Sequence, residues 1–403
     1  MALDGASEAP LKGLRVVELA QLLAGPYCGQ LFADFGAEVI KVEQPGIGDP
    51  MREWGREKAA GRSLWWPIIS RNKKSVTANL RETEGQELVR ELIKSADVVI
   101  ENFRPGTLER WDLGYERLSE ENPGLIMIRV TGYGQSGPYA QRAGYGAIGE
   151  ALGGLRYVTG DPSTPPSRTG ISIGDTLAAT FAAVGGLAAL QARSRTGVGQ
   201  VVDSAIYEAV FAVMEAIIPE YELGGSVRER TGSILPNIAP SNVYPTKDGE
   251  LILIAANQDT VFRRLAKAMG APELAEDPRY ISHGARGEHQ GELDELIASW
   301  SAKYSSLEVE QIMEEYGVPM GRMFRAPEML ADPHFAARDA ITSLVDPILG
   351  EVKMQNVVPK LSKTPGQLHW TGPDLGAHNE EVYSQLLGLS QDRLFSLSEQ
   401  GVI

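Results

Sequence analysis

Cysteine is almost absent from this 403-residue chain, in which Cys28 is the only one. A single cysteine excludes an intrachain disulfide, and with it a small secreted fold held together by disulfides, so that a reducing compartment fits best. The N-terminal stretch carries acids at Asp4 and Glu8 and lacks the basic and apolar regions of a secretory signal. We therefore expect a cytoplasmic protein.

Long apolar runs and an excess of positive charge are also missing. No uninterrupted apolar stretch approaches the roughly 20 residues of a membrane span. The 38 basic residues are outnumbered by 53 acidic ones, which gives a formal net charge of −15. That balance argues against nucleic-acid and membrane partners. An anionic ligand would need a local basic pocket.

Histidine is missing from the first two thirds of the chain. Its five occurrences are His283, His289, His334, His369 and His378. Their spacing is not that of a metal site, so we expect no metal. Serine chemistry activated by histidine would need a distant partner. The reacting group is therefore expected to be another kind of side chain.

Short β-type runs alternate with amphipathic helical segments over the first half of the chain. This alternation predicts a parallel sheet covered by helices, that is, a Rossmann-like α/β domain, whose ligands bind at the carboxyl ends of the strands. The turn at Gly25-Pro26 lacks the G-x-G-x-x-G spacing, which disfavours a dinucleotide. Strands are predicted at 14–19, 37–43, 71–80, 97–101, 125–130 and 201–203, and helices at 27–35, 82–94, 177–190 and 205–218.

A smaller module follows from about residue 224, where Gly-rich and charged sequence gives way to an α+β pattern. We expect 1–224 to form the N-terminal part of a large domain, 225–329 a small α+β domain, and 330–403 a linker that returns to the large domain. The last predicted helix, 380–387, has an apolar face that needs a surface to cover it.

The segment Arg168-Thr-Gly-Ile-Ser-Ile-Gly-Asp175 precedes a long run of small apolar residues. We interpret it as a strand, a tight turn with Gly174 in the left-handed region, and a buried helix with Asp175 at or next to its N-cap. A carboxylate presented there is a candidate nucleophile. An aspartate before a helix is also a common cap, and the local pattern leaves both interpretations open.

The loop 45–70 is unusually rich in aromatic and basic residues for so acidic a chain. Loops of this kind often carry function. The tryptophans could equally cover an edge of the sheet, and Arg52 could pair with Glu53 or Asp49 to hold the loop. The residues concerned are Arg52, Trp54, Arg56, Trp65 and Trp66.

A set of motifs occurs in order along the chain: 11–19, Ala24-Gly-Pro26, 36–43, Arg71-Asn-Lys-Lys-Ser75, Glu101-Asn-Phe-Arg-Pro-Gly106, 131–138 and Gly174-Asp175. This set resembles the class III CoA-transferases, and the likeness runs from about residue 11 to the C-terminus. The resemblance implies an interlocked homodimer in which each subunit is a ring threaded by the other. It also implies a Rossmann-type large domain with a smaller domain inserted.

For Asp175 the resemblance implies the role of the catalytic aspartate. It attacks the donor thioester to give an acyl-aspartyl anhydride and CoA thiolate, the thiolate then forms an aspartyl-CoA thioester, and the acceptor carboxylate takes over the CoA. A carboxylate with an unperturbed pKa of about 3.9 needs no general base at neutral pH. Coenzyme A enters as a thioester substrate, and no other cofactor is implied.

Residues that bind CoA are also implied by position. Arg81, Arg104 and Arg110 supply positive charge for the phosphates, while Lys73 and Lys74 are further candidates with a solvated surface as the alternative. Gln44 stands where some members have an arginine. The full set is Leu23, Ala24, Lys73, Ala78 to Arg81, Asn102, Phe103, Arg104, Arg110 and Tyr145.

The acyl group and the acceptor are expected to meet Arg52, Trp54, Tyr145 and Asn237. An arginine suits a second carboxylate because it offers paired donors. The stretch 232–240 replaces the glycine-rich lid of formyl-CoA transferases. We therefore expect succinyl-CoA as donor and citramalate, malate, glutarate, mesaconate or itaconate as acceptor. Transferases for monocarboxylates, of the carnitine or the formyl and oxalate type, are the alternative.

Two other functional classes share the expected fold or ligand. An α-methylacyl-CoA racemase would carry a histidine where this chain has Ala143-Gly144-Tyr145, and a tyrosine with a pKa of about 10 is a poor base at neutral pH. A protein that only binds CoA would have no use for a nucleophile.

Overall fold

The computed structural model describes residues 8–403. Its chain forms two compact units. Unit 1 comprises the chain up to Leu155, Thr169–Ala216 and Ala337–Ile403, and unit 2 comprises Arg156–Arg168 and Ile217–Ala336. The boundaries predicted after residues 224 and 329 lie eight residues after and seven residues before those observed, and residues 156–168 join unit 2. Residues 1–7, which include part of the stretch expected to lack a targeting sequence, lie outside the described residues.

Unit 1 is built on a six-stranded parallel sheet. The strands of the sheet are β1 Arg15–Glu18, β2 Glu38–Glu43, β5 Lys73–Thr77, β6 Val98–Glu101, β7 Ile126–Thr131 and β8 Val201–Ala205. Two short strands, β3 Lys58–Ala59 and β4 Arg62–Ser63, form a separate hairpin. The order in the sheet is β5-β2-β1-β6-β7-β8. Counted along the chain, this is third, second, first, fourth, fifth, sixth, which is the doubly wound order of dinucleotide-binding sheets. The predicted parallel α/β architecture is confirmed.

Helices cover both faces of this sheet, which explains why apolar residues adjacent in a strand, such as Val16 and Val17 of β1 or Val98 and Val99 of β6, are all buried. The helices of unit 1 are α1 Ala24–Asp34, α2 Trp66–Ile69, α3 Thr83–Ile93, α4 Thr107–Arg110, α5 Tyr115–Glu121, α6 Gly146–Leu152, α7 Leu155–Val158 (which runs into unit 2), α8 Ile173–Thr196, α9 Ile206–Phe211, α17 Asn379–Leu387 and α18 Gln391–Glu399. Adjacent strand residues point to opposite faces, so that Val16 packs with α1 and α8 while Val17 packs with α3, α17 and α18.

The helix α8 is longer than the predicted 177–190. Contrary to the expectation from the sequence, it is long and apolar enough to cross a membrane by length and composition. Its small residues lie against the sheet and α1, because a Cβ atom at Gly186 would lie 2.6 Å from Ile128 and 3.0 Å from Phe32. Core packing therefore accounts for the composition of this side of the helix.

The C-terminal region Ala337–Ile403 belongs to unit 1 and covers the edge strand β5. A bare edge strand exposes unpaired backbone groups. Here they are bonded at 2.8–3.2 Å: Lys73, Ser75 and Thr77 contact the side chains of Trp370, His378, Asn379 and Tyr383. The region also contains the hairpin of β12 Ile341–Asp346 and β13 Gly350–Gln355.

Unit 2 has its own core around a three-stranded antiparallel sheet. Its elements are β9 Ser241–Pro245, β10 Leu251–Ala255, β11 Met320–Arg322, α10 Ile217–Gly224, α11 Asp259–Ala268, α12 His283–Glu288, α13 Gln290–Ser301, α14 Ser306–Tyr316, α15 Ala326–Ala331 and α16 Pro333–Ala337. The order in the sheet is β11-β10-β9. Ile252 and Ile254 are buried on one face, whereas Leu251 and Leu253 are exposed, as the two-residue period of a strand requires.

Two local predictions are wrong. The helix predicted at 205–218 ends at Phe211, and Pro219 lies in the first turn of α10, where a missing N–H costs nothing. The residues just before α8 form no strand. The helix α18 was not predicted.

Candidate active site

A cavity of about 310 Å³ opens at the carboxyl ends of β1, β6 and β7. It lies where the strand order reverses between β1 and β6, the place at which open α/β sheets bind their ligands. The residues around it are 21–24 after β1, 102–105 after β6, 130–133 at the end of β7, 142–146 before α6, and Trp54, Ala140, Asp175 and Ile206.

Asp175 is the third residue of α8 and lines this cavity. The N-cap of the helix is Ser172, so the prediction that Asp175 lies at or next to the cap is wrong by two positions. In the first turn the backbone N–H groups and the helix dipole favour a negative charge. The third position of the helix therefore suits a reactive carboxylate as well as the predicted position at the N-cap would.

Two glycines make room for this carboxylate. A Cβ atom at Gly146 would lie 2.1 Å from Oδ2 of Asp175, so the carboxyl group rests on the bare Cα of Gly146. A Cβ atom at Gly174 would lie 3.1 Å from the carbonyl oxygen of Gly146. The first turns of α6 and α8 thus meet through glycines at the cavity wall.

The role expected of Gly174 differs from the role observed. The left-handed residue before α8 is Gly170, with φ of 81°, whereas Gly174 is helical and buried. Its N–H donates to Oε1 of Glu150 at 3.4 Å. Gly174 is thus required by close packing and not by backbone conformation.

The loop after β1 is held from two sides. Asn102 accepts a hydrogen bond from the N–H of Gln21 at 2.9 Å and donates one to its carbonyl at 2.7 Å. Leu22 has φ of 64°, an uncommon conformation for a leucine, and its N–H donates to Asp49 at 3.2 Å. These bonds place Leu23 and Ala24 on the cavity wall.

Beneath this loop lies a fully buried ionic network, which we call the ionic floor: Glu18, Lys41, Asp49 and Lys73. Lys41 bonds to Glu18, Asp49 and the carbonyl of Ala20, each at 2.8 Å. Burial acts to lower the pKa of Lys41, but the charges of Asp49 and Glu18 outweigh it and raise this pKa above its ordinary value. The lysine therefore stays charged and keeps the loop in place.

Lys73 belongs to the same network, which contradicts the prediction that it contacts CoA. Its ammonium group is fully enclosed, forms an ion pair with Glu18 at 2.8 Å and donates a hydrogen bond to the carbonyl of Pro26 at 2.6 Å. Lys74 is half-buried and pairs with Glu38 and Glu381. Neither lysine lines the cavity.

Arg52 is also occupied elsewhere. Its guanidinium makes a bidentate pair with Glu43, both bonds being 2.8 Å, and lies 3.8 Å above the ring of Trp66. Neither of the expected partners, Glu53 and Asp49, is used. Arg52 lines a different cavity from Asp175, so this arrangement does not support the expected contact with a second carboxylate, which stays a prediction.

The remaining predicted residues divide into two groups. Leu23, Ala24, Trp54, Asn102, Phe103, Arg104 and Tyr145 line the cavity with Asp175, whereas Ala78, Arg81 and Arg110 do not. Arg110 donates to Thr107 at 3.1 Å. Asn237 lies in unit 2, with φ of 62° and its backbone against Gly287. The roles of all these residues in ligand binding stay predictions.

Arg142 lines the cavity but was not predicted. Its guanidinium lies 3.7 Å from the centre of the Tyr139 ring, and that ring contacts Tyr133 edge to face at 6.0 Å. The signal in the sequence was a basic residue three positions before Tyr145 and four residues after the motif 131–138. In residues 8–403 no cluster of three or more His, Cys, Asp or Glu could hold a metal ion.

Comparisons with known proteins show the family to which the chain belongs. The sequence model of CoA-transferase family III matches residues 11–379. The chain is 63% identical to the succinyl-CoA–D-citramalate CoA-transferase of Chloroflexus aurantiacus, with 98% of both chains covered. It is 41% identical to the beta subunit of the succinyl-CoA–L-malate CoA-transferase of that organism, with 100% of both covered.

Two further similar proteins come from other organisms. The succinyl-CoA:glutarate CoA-transferase of Mus musculus is 31% identical, over 99% of this chain and 92% of the relative. The crystal structure of a CaiB/BaiF family protein from Brucella suis is 34% identical and has a TM-score of 0.84, over 94% of this chain and 100% of that one.

We predict that Lys73→Met lowers the free energy of unfolding by about 3–5 kcal/mol, because it leaves the buried Glu18 with one cation fewer. Lys74→Met is the matched control, since its pairs are partly exposed and its loss should cost about 1 kcal/mol or less. Urea denaturation measures both. If Lys73 instead bound a CoA phosphate, its loss would raise the KM for acyl-CoA and leave the stability unchanged.

Proposed function

We propose that this chain, which belongs to CoA-transferase family III and is a CoA-transferase, moves CoA from succinyl-CoA to a short dicarboxylic acid. D-Citramalate is the first acceptor to test. The observation that carries the chemistry is the carboxylate of Asp175, which rests on Gly146 in a cavity at the switch point of the sheet. The substrates are proposed from the relatives, which use succinyl-CoA with citramalate, malate or glutarate by name.

In the first half of the proposed reaction, one oxygen of Asp175 attacks the thioester carbon of succinyl-CoA. The carbon–sulfur bond breaks, leaving a succinyl-aspartyl anhydride and CoA thiolate. The thiolate then attacks the aspartyl carbonyl, and succinate leaves with the bridging oxygen. The enzyme now holds CoA as an aspartyl thioester. Splitting the exchange into such steps avoids a direct reaction between two poor partners.

The second half runs the same steps in reverse order. The carboxylate of the acceptor attacks the aspartyl thioester, releases the thiolate and forms a mixed anhydride. The thiolate attacks the carbonyl of the acceptor, which leaves as its CoA thioester and restores the Asp175 carboxylate. No proton is gained or lost over the cycle, which is consistent with the absence of histidine among the described residues that line the cavity.

Residues around Asp175 have separate proposed tasks. Asn102 fixes the loop that presents Leu23 and Ala24 to the ligand. Arg104 is exposed at the cavity on the loop after β6, where it can meet a phosphate of CoA. Tyr145, also exposed, occupies the place at which a racemase would need a histidine, which supports transfer over α-proton exchange.

We predict that Asp175→Ala lowers CoA transfer by at least about 10³-fold while acyl-CoA binding and the fold are kept, because the covalent route is lost. Asp392→Ala, which removes an exposed aspartate from the first turn of α18, is the matched control and should be silent. Hydroxylamine added to the wild type with succinyl-CoA should modify the peptide that contains Asp175. Modification of another residue would assign the nucleophile elsewhere.

The substrate proposal predicts that, with succinyl-CoA as donor, citramalate, malate, glutarate, mesaconate or itaconate is used at least about tenfold better than carnitine, cinnamate or formate, since one charge-assisted pair is worth roughly 1.5–3 kcal/mol. The measurement is kcat/KM for each acid by chromatography of the CoA esters. A preference for monocarboxylates would refute the dicarboxylate proposal but not the transferase. Deuterium uptake at the α-carbon in deuterated water would point to a racemase.

We also propose a homodimer. The side of α8 that faces away from the sheet exposes Phe181, Val184 and Leu187 at 43%, 58% and 44%. Contiguous apolar surface of this kind marks an interface. The second copy is the occupant that the family resemblance implies.

Sedimentation is expected to give the mass of two chains, and Val184→Asp is expected to weaken the association because it places a charge in the apolar contact. Phe395→Asp, which alters a side chain 68% exposed on α18, is the control. An active monomer would contradict the proposal.

A further inference from the structure

We propose that Arg142 binds the second carboxylate of the dicarboxylic substrate. The inference rests on the proposed function and gives Arg142 the task that the sequence suggested for Arg52. It makes Arg142 the residue that determines specificity for dicarboxylic acyl groups at the cavity of Asp175.

The charges around the cavity are the first support. Its lining contains three charged side chains, Arg104, Arg142 and Asp175. Two cations against one anion give a positive excess in a chain whose formal net charge is −15. Within residues 8–403, neither arginine takes part in an ion pair with a carboxylate of the chain. The cavity is therefore built to receive more than one anionic group.

The second support is that Arg142 is already oriented. Its guanidinium stacks on Tyr139 at 3.7 Å, and Tyr139 contacts Tyr133 edge to face. Stacking occupies the face of the guanidinium and leaves the N–H groups along its edge for a carboxylate in the same plane. A bidentate pair formed there loses little side-chain entropy.

The third support is the segment on which Arg142 lies. It precedes by four residues Gly146, against whose backbone the Asp175 carboxylate rests. Between them, Gly144 packs on the end of β7, since a Cβ atom there would lie 2.9 Å from Cα of Gly132 and 3.2 Å from the Tyr133 ring. The same short segment therefore carries the arginine and one wall of the reacting centre.

The other arginine suits another anion. Arg104 follows β6, beside Phe103 and just before α4, which carries Arg110. That group fits the phosphates of CoA, as the family resemblance implies. Arg142 lies on another segment of the cavity wall, 142–146, which ends at the glycine that contacts Asp175, and is then left for the acyl end. Succinyl-CoA and the acceptor both present a second carboxylate, so one arginine would serve both halves of the reaction.

The test compares succinyl-CoA with butyryl-CoA, which has the same number of acyl carbons and a methyl group in place of the carboxylate. Binding is measured by calorimetry in the Asp175→Ala background, where turnover does not interfere. Without further change, succinyl-CoA is expected to bind at least about tenfold more tightly than butyryl-CoA. Adding Arg142→Gln should abolish this difference by weakening succinyl-CoA alone, and adding Arg142→Lys should restore part of it.

Two controls separate the possible outcomes. Arg104→Gln should weaken both thioesters alike, and Arg195→Gln, at the exposed end of α8, should change neither. If Arg142→Gln weakens both thioesters equally, or leaves the preference for succinyl-CoA intact, the proposal is overturned. The proposed function is judged separately, by transfer from succinyl-CoA to acids in the otherwise wild-type enzyme.

Discussion

A buried set of charges under the first loop of the sheet fixes the geometry on which the candidate site depends. In the ionic floor, Lys41 and Lys73 both bond to Glu18 with no access to water. Such charges are costly to bury and are tolerated only when every one is paired. Gly29 shows how closely the chain is fitted around them, since a Cβ atom there would lie 1.9 Å from Glu18. The network bonds the carbonyl of Ala20 and, through Asp49, the N–H of Leu22, so the loop cannot relax without breaking a buried pair.

The second constraint is the absence of side chains at the place where two helices begin. Gly146 and Gly174 allow the first turns of α6 and α8 to approach until the carboxylate of Asp175 rests on a Cα atom. A glycine in a helix is normally destabilising. Here the cost is offset by packing, and the result is a carboxylate that lies directly against the backbone of α6. This explains why a cap motif was a poor guide to the exact position of Asp175, which is two residues beyond the first helical position.

The parts of the fold that depend on local pattern could be predicted, and the parts that depend on long-range pairing could not. The strands of the parallel sheet follow from runs such as Val98-Val-Ile100, which are buried on both faces. By contrast, Lys73 belongs to a basic run typical of a surface, and its side chain is buried through contacts that only the fold brings together, with Glu18 on β1 and the carbonyl of Pro26 in α1. For Arg52 the sequence suggested a partner within its own loop, Glu53 or Asp49. Its actual partner is Glu43, which lies at the end of β2 and becomes its neighbour only through the fold.

What distinguishes the arginines of this protein is whether the chain itself satisfies them. Arg71 is bonded to both oxygens of Asp34, and Arg286 to three carbonyls and Asp259. Arg52 is equally saturated by Glu43. The chain has more carboxylates than basic groups and could pair Arg104 and Arg142 in the same way. In residues 8–403, however, neither of these two arginines forms an ion pair with a carboxylate of the chain. Both line the same cavity as Asp175. The exposed guanidinium of Arg142, stacked on Tyr139, is complementary to an anionic ligand. In the proposed reaction that anion is the second carboxylate of the substrate, which takes no part in the bond changes.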